Sequence, residues 1–114
     1  MGTLIEANNY ASLLKELKRF GEVKLLLHKT IPLARSALGE SHKLTLTMRK
    51  IYAEALCRVD GATIDNLREA VSTLEDTERT ARRVFGVSHP VVRDIGQTLR
   101  NARALLRARE MPSL

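Results

Sequence analysis

One phrase of this sequence occurs twice. Ala34-Arg35-Ser36-Ala37-Leu38-Gly39-Glu40-Ser41-His42 and Ala81-Arg82-Arg83-Val84-Phe85-Gly86-Val87-Ser88-His89 share Ala-Arg, two residues, a large apolar residue, Gly, any residue, Ser and His. The glycines and the histidines are both 47 positions apart. A match of this length at a constant offset marks an internal repeat. Repeated units of this size stack, because one copy alone cannot bury its apolar surface.

The segments between the repeated phrases are helical in pattern. Ala7, Tyr10, Ala11, Leu14 and Leu17 recur at threes and fours, which predicts a helix over about 4–19 with those residues inward. Phe20-Gly21 reads as its break, since Gly is costly inside a helix and easy in a turn. A second helix over about 22–37 carries Val23, Leu26, Leu27, Ile31, Ala34 and Leu38 on its inner side. Pro32 removes an amide donor within it and predicts a kink. Gly39 ends that helix in a left-handed conformation, and Ser41 is the expected N-cap of the next.

A third helix over about 43–59 turns Leu44, Met48, Ile51, Tyr52, Ala55, Leu56 and Val59 inward. Thr63 or Asp65 can cap a fourth, over about 65–85, with Leu67, Ala70, Val71, Leu74, Ala81, Val84 and Phe85 inward. Gly86 closes it, and Ser88 with Pro90 opens a fifth that carries Val92, Ile95, Leu99, Ala102 and Leu106 to about Arg109. The tail Met111-Pro112-Ser113-Leu114 is expected to fray. No segment has the alternation of a strand, so the fold class is all-α, with five helices.

Composition narrows the rest. At 114 residues the chain is one domain at most, or a piece of a larger array. With 44% hydrophobic residues it can bury a core, and with 4% aromatic residues that core is aliphatic. The net charge of +6 permits an anionic partner, but a solvated helix surface laced with ion pairs is the expected account of it. Cys57 is the single cysteine, which excludes an internal disulfide and fits a reducing compartment. No apolar run approaches the ~20 residues of a membrane span. The N-terminus resembles neither a secretion signal nor an acylation motif. The expectation is an intracellular, cytoplasmic protein.

The turn and hairpin grammar resembles the tetratricopeptide repeat, in the long form found in kinesin light chains. The residues that carry the likeness are Gly39-Glu40-Ser41-His42 and Gly86-Val87-Ser88-His89-Pro90, which match the family's Gly-x-x-His-Pro turn. Asn8-Asn9-Tyr10-Ala11 matches its Asn-Asn-Leu-Ala, and Arg19-Phe20-Gly21-Glu22-Val23 and Arg68-Glu69-Ala70 match its hairpin turn. Lys43 stands where the family has Pro, and the second repeat is about five residues longer, around Gly61–Asn66. The chain has no heptad segment of the kind that would hold a motor chain.

The resemblance implies a right-handed helical-hairpin solenoid of about two and a half repeats. Repeat 1 covers about 4–40, repeat 2 about 41–87, and a terminal capping helix about 88–109. Ala11 and Ala53 are the small residues at the hairpin crossing, and Arg100 takes their place in the third unit. Arg93, Arg100 and Arg107 then form a solvating stripe on a terminal helix.

The resemblance also implies a concave groove lined by the first helix of each repeat. By position it holds Asn8, Asn9, Ser12 and Lys15, then Lys50, Glu54 and Arg58, then Asp94, Gln97 and Asn101. Side-chain amides can grip an extended peptide backbone, and Lys15, Lys50 and Arg58 favour an acidic one. The expected function is a non-enzymatic adaptor for a protein or peptide. The alternatives are RNA or another anionic partner on the basic surface, or self-association through the unpaired surface of the first helix. No catalytic, metal or cofactor site is expected. His42 and His89 read as turn residues, a metal would need further ligands, and His28 reads as exposed or shielding the kink. Cys57, beside Arg58, reads as inert rather than activated.

Overall fold

A computed structural model gives the architecture; it describes residues 2–111. Five helices follow one another: α1 Gly2–Glu16, α2 Phe20–Leu38, α3 Lys43–Arg58, α4 Ile64–Phe85 and α5 Pro90–Glu110. The described residues contain no strand. None of these helices is long and apolar enough to cross a membrane. Residues 112–114 of the tail expected to fray lie outside the described residues.

The repeated phrase is a stop-and-start device. Gly39 and Gly86 have φ of 92° and 86° with ψ of 164° and 157°. That is the extended positive-φ region, which glycine alone adopts freely, rather than the left-handed helical conformation expected. Their amides close onto the carbonyls of Arg35 and Arg82. The cap that follows is histidine, not Ser41 or Ser88. His42 Nδ1 accepts from the Leu44 amide at 3.0 Å, and His89 Nδ1 accepts from the Val91 amide at 3.1 Å. In both caps Nδ1 is the accepting nitrogen, which leaves Nε2 as the ring's donor. The backbone at both histidines is extended, as an N-cap requires.

Other boundaries shift for local reasons. The first break is Leu17-Lys18-Arg19, with Lys18 at φ 60°, and Phe20-Gly21 already belong to α2. Phe20 is buried there, so its side chain is worth more inside the helix than in the turn. Helix α2 runs unbroken through Pro32. Helix α4 starts at Ile64, where Thr63 and Asn66 form a reciprocal capping box. The extra length of the second unit divides in two. The α3–α4 loop is longer than the α1–α2 loop, and α4, at 22 residues, is longer than α2, at 19.

Each helix packs on the next, and α3 also packs on α1 and α5, whereas the described residues of α2 and α4 do not pack on each other. Two apolar clusters result. Leu14, Val23, Leu27, Met48, Ile51 and Ala55 belong to the first; Leu46, Ala53, Leu56, Leu74, Ile95 and Leu99 belong to the second. Helix α3 contributes to both, from two different faces. The molecule is accordingly elongated, at 51 × 30 × 21 Å.

Three residues expected inward are exposed: Tyr10, Leu17 and Val84. Tyr10 and Leu17 correspond to Tyr52 and Val59 of α3, which pack on the first cluster. No helix of the described chain covers that side of α1.

The turn chemistry is testable by urea unfolding. Gly86→Ala should cost about 1–3 kcal/mol through backbone strain alone, because no atom lies within 4 Å of the added Cβ. His89→Ala should cost about 1 kcal/mol, and His89→Asn much less. A neutral Gly86→Ala would contradict the assignment of the turn.

Candidate functional site

The polar positions on α1, α3 and α5 meet because α3 lies between the other two. Lys15 Nζ lies 3.5 Å from Glu54 Oε1, Lys50 Nζ lies 3.8 Å from the same oxygen, and Lys50 also pairs with Asp94. The row runs Lys15–Glu54–Lys50–Asp94 and sums to zero charge. The Lys50 side chain is only 12% exposed, so this lysine is engaged on both sides rather than free for a ligand. The two lysines expected to attract an acidic peptide are thus held by the protein's own carboxylates.

The remaining predicted residues divide. Asn9 is exposed and Ser12 half-buried. Asn8 Oδ1 is buried without a partner, and the residue lines a cavity of about 560 Å³ with Leu4, Leu38 and His42. Gln97 donates to Asn101 at 3.1 Å and accepts from Arg100 at 2.9 Å, so this amide of the third unit is engaged within its own helix. Arg58 does not join the row. Its guanidinium lies 4.8 Å above the Phe20 ring, at the hairpin end of α2. Cation and ring attract there through the ring quadrupole.

Two features escaped the sequence pattern. The first is an exposed apolar row on α1, Tyr10, Leu13 and Leu17, each at least half exposed. Its signal was an apolar stripe too wide for one buried face. The second is Arg49, which is 6% exposed and the one charged residue among the described buried set. It lines a cavity of about 250 Å³ between α2, α3 and α4. Its signal was a large cation at a register where Ala7 and Gly96 are small.

Two titrating groups are displaced. Burial, then the Glu54 carboxylate, pushes the Cys57 thiol up to about 11 from 9.0. Tyr52 is also raised, by burial and then by Glu69, whose carboxylate lies 3.5 Å from the phenol oxygen. Arg58, the neighbour in sequence, does not activate the thiol.

No family model matches the chain, and no curated protein and no solved structure matches it.

The thiol gives a pH test. The folded chain keeps the Cys57 proton after the unfolded chain has lost it, so unfolding releases a proton between about pH 9 and 11. Stability should fall as pH rises through that window, and Cys57→Ala should reduce the slope. Alkylation of the native thiol at pH 8 should be slower than in denaturant. Rapid native alkylation would contradict the burial assigned to Cys57.

Proposed function

We propose that this chain is a non-enzymatic helical-repeat scaffold, a right-handed solenoid of tetratricopeptide type that works by protein–protein association. The observation that carries this reading is the difference between its two outer edges. In α3, Leu46, Ala53 and Leu56 form the face that packs on the second cluster. The positions 47 further on are Arg93, Arg100 and Arg103, all exposed, which suits a surface that meets water. At the other edge, Tyr10, Leu13 and Leu17 occupy the row whose α3 counterparts, Tyr52, Ala55 and Val59, pack on a hairpin. One edge is polar and the other is apolar and uncovered.

The occupant we assign to the apolar edge is a second copy of the chain. An antiparallel pairing of two α1 helices about a two-fold axis near Leu13 sets Tyr10 against the partner's Leu17. The same axis brings Glu6, near the N-terminal end of the row, toward Lys18 in the turn of the other copy, where Arg19 is already held by Glu22. Opposite charges at the ends of an apolar stripe favour this register over a parallel one. Such a dimer presents two copies of the polar face. With its lysines internally paired, that face would hold a protein segment through Asn9 and Ser12 rather than through net charge.

Sedimentation equilibrium across a concentration series tests this reading. The wild type should reach a dimer, and Leu13→Asp with Leu17→Asp should remain a monomer of unchanged helicity. A wild type that stays monomeric at every concentration would overturn the assignment, as would a double variant that still dimerises.

A further inference from the structure

The most unusual side chain in the molecule is not on the row that joins α1, α3 and α5. Arg49 projects from α3 into the space between α2 and α4, two helices that do not pack on each other. Its side chain is 7% exposed, yet its only protein acceptor among the described residues is Asp76, at 3.4 Å. That distance is beyond the 2.7–2.9 Å of a strong guanidinium–carboxylate bond. Asp76 is itself 61% exposed, and its other oxygen accepts from Arg79 at 2.8 Å. A buried cation ordinarily needs close, well-formed partners. Arg49 has one long, shared contact, and its other guanidinium nitrogens have no protein acceptor among the described residues and are open to the cavity rather than sealed from solvent.

The space beside it is shaped for a small ligand. At about 250 Å³ the cavity is just below the usual range for ligand sites. Leu27, Ile31 and Pro32 form an apolar wall, and Thr73 adds a hydroxyl. His28 and Tyr52 present their rings 6.4 Å apart. The other charged groups facing the cavity are Arg35, which pairs with Glu40, and Glu69, which faces the Tyr52 hydroxyl. The three charged residues of the lining, Arg35, Arg49 and Glu69, sum to one positive charge; Glu40 and Asp76, which pair with the two arginines, lie outside the lining, so a ligand carboxylate competes with Asp76 for Arg49.

We propose that this cavity binds a monocarboxylate carried on a short apolar group, with the Arg49 guanidinium as its fork-shaped anchor. The apolar wall takes the hydrocarbon part, and Glu69 disfavours a ligand of higher negative charge. The carboxylate can belong to a free small acid or to the C-terminus of a polypeptide. Neither source uses the polar row, so the proposal stands or falls apart from the scaffold reading.

Titration followed by the amide resonances of Arg49, Tyr52 and Thr73 tests it, with four probes. They are butyrate, its neutral amide, and a short peptide ending in valine with a free or an amidated C-terminus. Butyrate should shift these resonances saturably and its amide should not; the free-ended peptide responds only if a chain terminus is the source. Arg49→Met should weaken butyrate binding about tenfold or more, while the fold is retained, since an apolar side chain of similar length suits a buried site. Asp76→Asn removes the competing negative charge and should tighten binding. Equal responses to butyrate and its amide, no response to butyrate, or undiminished binding by Arg49→Met would each overturn the proposal. A destabilised Asp76→Asn with no gain in binding would show that Arg49 serves Asp76 alone, and would overturn it as well.

Discussion

The structure depends on one helix burying two faces at once. Met48, Ile51 and Ala55 of α3 close the first cluster, and Leu46, Ala53 and Leu56 open the second. A helix with one apolar stripe can serve one hairpin. A helix with two can join a pair of hairpins, which turns separate units into a stack. The pattern of α3 follows directly: 0% exposure at Leu46, Met48, Ala53, Ala55 and Leu56 spreads over about half of its circumference. One strip of its polar residues, Lys50 and Glu54, links α1 to α5. Those ion pairs fix the register of the three helices more than they add stability, because each has an exposed or shared member.

The edges of the stack follow from the same logic. On α1 and α5 only one of the two faces has a neighbour within the described chain. Helix α5 answers with arginines at its outer row, Arg93, Arg100 and Arg103, the last held 3.0 Å from Glu75. Helix α1 keeps Tyr10, Leu13 and Leu17 apolar at its outer row. The chemistry of a face thus reports whether it is built to meet water or another helix. The gap between α2 and α4 is a third consequence, since helices held apart by α3 leave room for the cavity that Arg49 lines.

Much of this fold was legible in the residues. The duplicated Gly-x-Ser-His phrase gave the two inter-unit turns, and the three-four spacing gave five helices. What the phrase could not reveal was which polar atom caps. Serine is the stronger general preference, and the histidines won because their Nδ1 reaches the amide two residues on. The inward assignment of Tyr10 and Leu17 failed for a different reason. Periodicity marks an apolar stripe without saying how much of it a neighbour covers. Of the residues placed on one face, Lys15, Lys50, Glu54 and Asp94 do meet. The long-range part of their neutralisation was invisible, since a carboxylate and a lysine 39 or 44 positions apart carry no local signal; only Lys50 and Glu54, four apart, carry one. Arg49 was hidden in the same way, because burial of a cation depends on which helices flank it.

Helix α3 should make one cooperative unit of both hairpins, and native-state hydrogen exchange on Leu56→Ala tests this most directly. Leu56 is fully buried in the second cluster, so its truncation should cost about 2–5 kcal/mol. If α3 couples the hairpins, protection should fall together in α2 and α4, although Leu56 belongs only to the second cluster. Protection lost in α4 and α5 alone, with α1 and α2 unchanged, would contradict the coupling.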